Sequence, residues 1–369
     1  MKLVQLRRSK VELGSGGVEG EGGSVEPGWA DLSDRQQRRV RYLRMSLTDR
    51  CSMRCTYCMP PEGIEHVARS EVLSLEEVAL VAEAFARWGV ERVRLTGGEP
   101  TLRRGLAALV ERLAQTPVGA QGEGATLEVA MTTNGERLVE LAEPLKAAGL
   151  GSLTVSVDSL DPERFAAITR RDRLAKVREG IAAASAAGFR LKLNTVALQG
   201  FNHDELAELC RFAWGHDATP RFIELMPMAG GRLFVPGELM PAAAIRETLI
   251  QGLGAGALEA EGRPAGPVGP ARYWRVRGGA HDGRRFGIIS AMTENFCDTC
   301  NRLRVSATGQ LHACLARDDA GDLRAALRSG IPGRLAAVVA AALGQKRDTH
   351  GFEIDGSGGP QKAMISIGG

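Results

Sequence analysis

Apolar residues recur along the chain in two alternating rhythms. A short stretch of period two is followed by a longer one with apolar residues three and four apart, and the pair repeats. The first strand-like stretch, Tyr42-Leu43-Arg44-Met45-Ser46-Leu47, alternates and is built from strand-favouring residues. Residues 75–88 carry apolar positions at helical spacing; Ser74 is placed to cap that helix and Glu77 to complete a capping box. Strand patterns follow at 91–96, 127–133, 152–157, 190–196 and 221–226, with helical patterns at 104–114, 135–148, 174–187 and 204–214 between them. Strand alternating with helix predicts an α/β fold, a parallel sheet with helical crossovers.

The polar ends of the strands choose between two such folds. In order they run into a cysteine loop, Thr96-Gly97-Gly98-Glu99-Pro100, Thr132-Thr133-Asn134-Gly135, Ser156-Val157-Asp158, Asn194-Thr195 and Glu224-Leu225-Met226. A barrel gathers the carboxyl ends of all its strands at one mouth, whereas an open sheet concentrates its site at one switch point. Six chemically able strand ends favour a TIM-type barrel, partial because it has six units. After Met226 the rhythm stops. Gly230-Gly231, Pro236 and Pro241 lead to a helical pattern at 242–251, and the Gly- and Pro-rich stretch 252–279 reads as a loop. Gly252-Leu253-Gly254-Ala255-Gly256-Ala257 superficially fits a dinucleotide fingerprint but follows a helix instead of a strand, and no Walker P-loop occurs. The expected organisation is a disordered tail at 1–35, too poor in apolar residues to pack, the partial barrel at 36–227, and a C-terminal region at 228–369.

Composition narrows the class. The 369 residues are 44% hydrophobic, enough for a sizeable core. A net charge of +3 and 5% aromatic content argue against a nucleic-acid or membrane partner. No apolar run is long enough to span a bilayer and no secretory signal opens the chain. The seven cysteines fall as three, three and one, which points to metal sites in a reducing compartment. The expectation is a cytoplasmic enzyme. Cys210, on an amphipathic helical pattern, reads as core.

The first cysteine group, Cys51-Ser52-Met53-Arg54-Cys55-Thr56-Tyr57-Cys58, puts three thiols within one loop. Three thiolates satisfy three irons of a [4Fe-4S] cube and leave the fourth open for chemistry. Zinc ligands come as C-x2-C pairs from separated places and fit this spacing poorly. The second group is Cys297-Asp298-Thr299-Cys300 with Cys314, where residues 302–306 and 310–314 flank Ala307-Thr308-Gly309 as a β-hairpin. Folding it back brings Cys314 beside Cys300. Arg302 and Arg304, two apart, share a face and would seat an anion. On this segment alone a closed zinc site completed by His312 stays open.

Together these motifs carry a resemblance. The first loop is similar to the signature of radical S-adenosylmethionine enzymes, and Thr96-Gly97-Gly98-Glu99-Pro100 resembles their glycine-rich cofactor-contacting motif. Tyr42-Leu43-Arg44, Thr48-Asp49-Arg50-Cys51, Arg221-Phe222-Ile223-Glu224-Leu225-Met226, Asn301-Arg302-Leu303-Arg304 and Ile367-Gly368-Gly369 together resemble the GTP 3′,8-cyclase family of molybdenum cofactor biosynthesis, over about residues 40–369. The resemblance implies two [4Fe-4S] clusters, one on Cys51, Cys55 and Cys58 and one on Cys297, Cys300 and Cys314. It implies S-adenosyl-L-methionine against Tyr57, Gly98, Ser156 and Met226, and GTP against Arg44, Arg94, Thr132, Lys192, Arg302, Leu303 and Arg304. A 5′-deoxyadenosyl radical would take a hydrogen from ribose C3′ of GTP, the ribose radical would close onto guanine C8, and a further electron and proton would complete the product. The implied partners are GTP, a one-electron reductant protein such as a flavodoxin or ferredoxin, and a downstream cyclic pyranopterin monophosphate synthase; a homodimer is compatible with it.

Two departures from the family pattern stand out. Ser52 replaces the usual Asn after the first cysteine, and the Phe-Gly-Arg often found before Tyr-Leu-Arg is absent, with Arg38-Arg39-Val40-Arg41 in that region. The closest alternative is another radical enzyme with an auxiliary cluster, such as a peptide-modifying maturase; a zinc-bound scaffold is the non-enzymatic one. Ala363-Met364-Ile365-Ser366-Ile367 is apolar and expected to lie against the body. Gly368-Gly369 then reads as a free end, since glycine costs the most entropy to order, or as a carrier-type diglycine. The resemblance instead implies a tail threaded into the barrel mouth, which places Gly368 and Gly369 with Cys51, Cys55, Cys58, Arg302 and Arg304 in the catalytic set.

Overall fold

The computed structural model describes residues 32–119 and 125–367; of the tail expected to be disordered at 1–35, residues 1–31 lie outside them, while Leu32 and Asp34 are buried because the turn into β1 packs them. Strands β1 (Tyr42–Ser46), β2 (Arg92–Thr96), β3 (Glu128–Thr133), β4 (Ser152–Ser156), β5 (Arg190–Ala197) and β6 (Thr219–Glu224) lie side by side in chain order, all parallel. Helices α1 (Leu75–Arg87), α2 (Leu106–Ala114), α3 (Leu138–Ala147), α4 (Pro162–Thr169), α5 (Leu174–Ala186) and α6 (Leu206–Gly215) make the crossovers. Every residue of β2 is buried, as a parallel strand covered on both faces should be. The capping box of α1 is complete: Glu77 N–H donates to Ser74 Oγ and Ser74 N–H to the Glu77 carboxylate. Helix α4 was not expected. It is short, capped by Asp161 with Pro162 at its first turn, and offers too few turns for a helical period to show.

After α7 (Ala242–Leu253), which ends at Gly254 in the left-handed region, the stretch expected to be a loop carries strands. β7 (Ala257–Gly262) and β8 (Arg272–Arg277) pair antiparallel, and β8 pairs with β9 (Arg285–Ile289). Their signal was hidden because β7 is largely exposed and alternates glutamate with small residues; charged cross-strand pairs such as Arg277–Glu259 and Arg275–Glu261 stand in for an apolar face.

The C-terminal region does not stand apart. β9 lies parallel on β6, and β10 (Arg302–Val305) lies parallel on β1 and forms the expected hairpin with β11 (Gln310–His312). With β12 (Gly321–Asp322) outside β11, one twelve-stranded sheet runs β12-β11-β10-β1-β2-β3-β4-β5-β6-β9-β8-β7. Helices α8 (Leu323–Arg328) and α9 (Arg334–Gln345) pack by the β11–β12 end. Both edges of the six-strand array are thus covered by strands from residues 228–369.

The approach to β1 is a tight turn. Asp34 accepts from the Arg38 backbone N–H at 3.0 Å and from its guanidinium at 2.7 Å. Gln37 sits at φ +59°, a conformation that suits glycine. Gln36-Gln37-Arg38 therefore makes, with a strained glutamine, the kind of turn that a glycine-arginine pair would make more easily.

Candidate active site

Strand register builds the walls. Arg44 on β1 lies level with Arg304 on β10 and Arg94 on β2, and Thr132 on β3 lies level with Thr154 on β4 and Lys192 on β5. Residues level across a sheet share a face. Arg44, Arg94, Arg304, Thr132 and Lys192 accordingly line one chamber of about 330 Å³. Leu303, between two inward arginines, points the other way into the core and is not among the lining residues.

Arg94 is 4% exposed and spans strands: one amino group donates to the Met131 carbonyl at 2.9 Å and to the hydroxyls of Thr132 and Thr154 at 3.1 and 3.0 Å. Arg221 on β6, which sequence reasoning quoted in a motif but gave no role, joins the same wall; it donates to Asn194 Oδ1 at 2.9 Å and Thr154 Oγ1 at 3.2 Å. Burial, with Arg221, Arg94 and Arg92 close by, pushes the Lys192 ammonium down to about 7. Burial and the neighbouring Arg302 bring Arg304 down to about 10. The carboxylates that share the chamber are held by other donors. Glu99 accepts from the Thr101 and Thr133 hydroxyls and the Asn134 amide, and Glu224 from the amides of Ala242, Met292 and Thr293. The strand wall is a cationic surface, the chemistry a polyanion needs.

At one end sit Cys51, Cys55 and Cys58 with Tyr57, Gly98, Ser156 and Met226, all lining the chamber. Helix α4 positions their loop: Arg54 N–H and Thr56 N–H donate to the carbonyls of Thr169 and Ile168 at 3.0 and 2.9 Å. Arg170, at φ +55°, donates to the Arg54 and Met59 carbonyls, both at 3.0 Å. The Ser52 hydroxyl accepts from the Asn134 side chain at 3.0 Å, which ties the loop to the end of β3. Gly98 must be glycine, because a Cβ there would meet the Arg50 carbonyl oxygen at 2.3 Å. Tyr57 Oη donates to Asp158 at 2.7 Å, and burial lifts that carboxyl to about 6. Burial pushes the Cys51 thiol up to about 11 and Cys58 to about 12, and Cys55, near both other thiols, well above its usual range. Thiols so placed stay protonated until a metal displaces the proton, and three of them lining one chamber are a donor set that would hold a [4Fe-4S] cluster through three irons.

At the other end sit Cys297, Cys300 and Cys314, with Phe296 and Arg302. Here the surroundings are cationic. Arg302 Nη2 lies 3.6 Å from Cys300 Sγ and its guanidinium stacks over Phe296 at 4.8 Å; Lys346 Nζ lies 3.5 Å from the same sulfur. Burial alone would raise the Cys300 thiol, but Arg302 and Lys346 outweigh it and bring it down to about 6. His312 is fully buried and not among the chamber's lining residues; burial, Lys362 and Arg304 push its imidazole down to about 4. The chain's last described turn, Met364–Ile367, bridges the two ends. Ile365 packs with Met59 beside Cys51 and Cys58, Ile367 packs beside Met226 and Cys314, and Met364 lines the chamber. Gly368 and Gly369 lie outside the described residues.

Residues 45–213 match the family described as Radical SAM superfamily, and residues 218–352 match Molybdenum Cofactor Synthesis C. The GTP 3′,8-cyclase of Pelotomaculum thermopropionicum is 42% identical over 86% of this chain and 95% of its own. That of Ectopseudomonas mendocina is 44% identical over 88% of this chain and 94% of its own. Among solved structures, Streptococcus suis SuiB bound to precursor peptide SuiA superposes with a TM-score of 0.45 at 16% identity, over 57% of this chain and 44% of that one, a likeness too slight to carry weight.

Proposed function

The chain belongs to the GTP 3′,8-cyclase family within the radical S-adenosylmethionine superfamily, and on that footing we propose that it converts GTP to 3′,8-cyclo-7,8-dihydroguanosine 5′-triphosphate, the first step of molybdenum cofactor biosynthesis. The observation that carries the reading is the single chamber, with a cysteine triad at each end and a cationic strand wall between them. Cys51, Cys55 and Cys58 would hold the first cluster, and Cys297, Cys300 and Cys314 the second. The first cluster, when held by these cysteines, would pass one electron from the reductant to S-adenosylmethionine and so supply the C–S cleavage chemistry from which hydrogen abstraction at ribose C3′ would follow.

The protein's own part is placement. Tyr57, Gly98, Ser156 and Met226 cradle the cofactor beside the first triad. Arg44, Arg94, Lys192, Arg221 and Arg304 hold the triphosphate, with Thr132 positioned by Arg94; nothing is transferred from the phosphates, so no P-loop is needed. Arg302 orders the second end, and Leu303 can act there only through its backbone. The tail through Ile367 closes the chamber against water, which protects a radical reaction. On this reading the chain is a partial (β/α)6 barrel over 36–227, with a C-terminal region at 228–369 that would bring the second cluster, and Gly368 and Gly369 belong to the catalytic set. The reaction needs a one-electron reductant, for which a flavodoxin or ferredoxin in a reducing compartment such as the cytoplasm would serve; the pathway reading adds a downstream cyclic pyranopterin monophosphate synthase as the consumer of the product, and a homodimer is compatible. Among the described residues no helix is long and apolar enough to cross a membrane.

The test is anaerobic incubation of the iron-loaded protein with GTP, S-adenosylmethionine and reductant, with the product identified by mass and nuclear magnetic resonance. Cys55→Ala should abolish 5′-deoxyadenosine formation and leave the second cluster in place. Retained cleavage of S-adenosylmethionine in that variant would sink the assignment.

A further inference from the structure

Lys346, at the end of α9, is 4% exposed, yet among the described residues no carboxylate lies within salt-bridge distance of it. Its ammonium has two partners: the Arg302 carbonyl at 2.7 Å and Cys300 Sγ at 3.5 Å. A buried ammonium without an anion is costly. A ligand thiolate at Cys300 is the anion that answers it. Arg302 Nη2 contacts the same sulfur, and Arg38 donates to the Cys297 carbonyl at 2.7 Å. The first triad has the opposite surroundings, with the carboxylates of Asp158 and Glu99 on the chamber wall beside it. Hydrogen bonds to ligand sulfurs and local charge are what set the potential of an iron–sulfur centre.

We propose that Lys346 is a positioning residue of the second centre: its contact with Cys300 raises that centre's reduction potential and makes it the more readily reduced of the two. The proposal rests on the two-cluster reading above. It gives the final electron of the reaction a nearby source at the end of the chamber remote from cofactor cleavage.

The experiment is an anaerobic redox titration followed by electron paramagnetic resonance, in a Cys55→Ala background so that only the second centre reports, and in parallel in Cys300→Ala for the first. Lys346→Gln keeps a donor and loses the charge; Lys346→Met loses both; Lys346→Arg keeps both. The second centre's midpoint should fall in Gln, fall further in Met and return toward wild type in Arg, at full iron content, while the first centre's stays where it was. An unchanged midpoint in Gln and Met, or an equal fall in both centres, overturns the proposal. Loss of iron in both Gln and Met variants also overturns it, since Lys346 would then be a structural prop. A Cys55→Ala protein that holds no iron at all would overturn the two-cluster reading itself and the proposal with it.

Discussion

Lys192, assigned to the nucleotide by the family resemblance, is a largely buried cation among arginines with its ammonium brought down to about 7. A bound triphosphate must raise that value again, so GTP binding above about pH 7 takes up a proton. Affinity for GTP should be greatest below about pH 7 and fall with rising pH, by about tenfold per unit at most. Folding has the opposite sign. The unfolded lysine keeps its proton to higher pH than the folded one, so the free protein gains stability from this group as pH rises through 7 toward 10.5. Calorimetry in buffers of different ionisation enthalpy checks the uptake, and Lys192→Gln should remove it; uptake unchanged in the variant assigns the proton to another group. The cysteines were legible because their spacing is itself the signal. Arg221 was not, because an arginine in a strand gains meaning only when its partners on β4 and β5 are known. Lys346 had no sequence signal at all, since its partner sulfur lies 46 residues away.

At the level of elements, the strong periods were read well: the six parallel strands and the helices between them fall within a few residues of their patterns. The Ser74–Glu77 box was legible because a cap is a local device, complete within four residues. Ser74→Ala should cost about 1 kcal/mol of stability, seen as a lower denaturant midpoint without a changed slope; no change would mean that packing alone sets the start of α1. The strands hidden in 252–279 were missed because glycine and proline in the sequence mark turns, and charged pairs hold the hairpin between them. Neither α4 nor its service to the cysteine loop was visible. A helix of eight residues gives little period, and a hydrogen bond from Thr56 N–H to Ile168 is a tertiary fact.

For the whole molecule, the informative feature is that β9 and β10 cover both edges of the six-strand array. A chain cut to 36–227 would expose two bare strand edges, which template association. Such a fragment should aggregate or stay unfolded; a monomeric fragment with protected strand amides by hydrogen exchange would show the array self-sufficient. The turn at Met364–Ile367, seated between the two cysteine groups, makes a second whole-molecule prediction. Removing Gly368-Gly369 or extending the chain past them should leave iron content and GTP binding near normal while formation of the cyclised product collapses. Normal turnover in a tagged protein would return those glycines to a free end.

The pairing that joins the start of the sheet to its late hairpin also sets a timetable for biosynthesis. Arg38 bonds to Cys297 across 259 residues of chain. At roughly 5–20 residues per second the ribosome needs roughly 10–50 s to bring that partner out. For most of that interval the residues of the first cysteine loop are already synthesised, while the edge of β1 that β10 will cover has nothing beside it. That edge stays unpaired until β10 is made, and the thiols of the first loop wait for the walls that will enclose them.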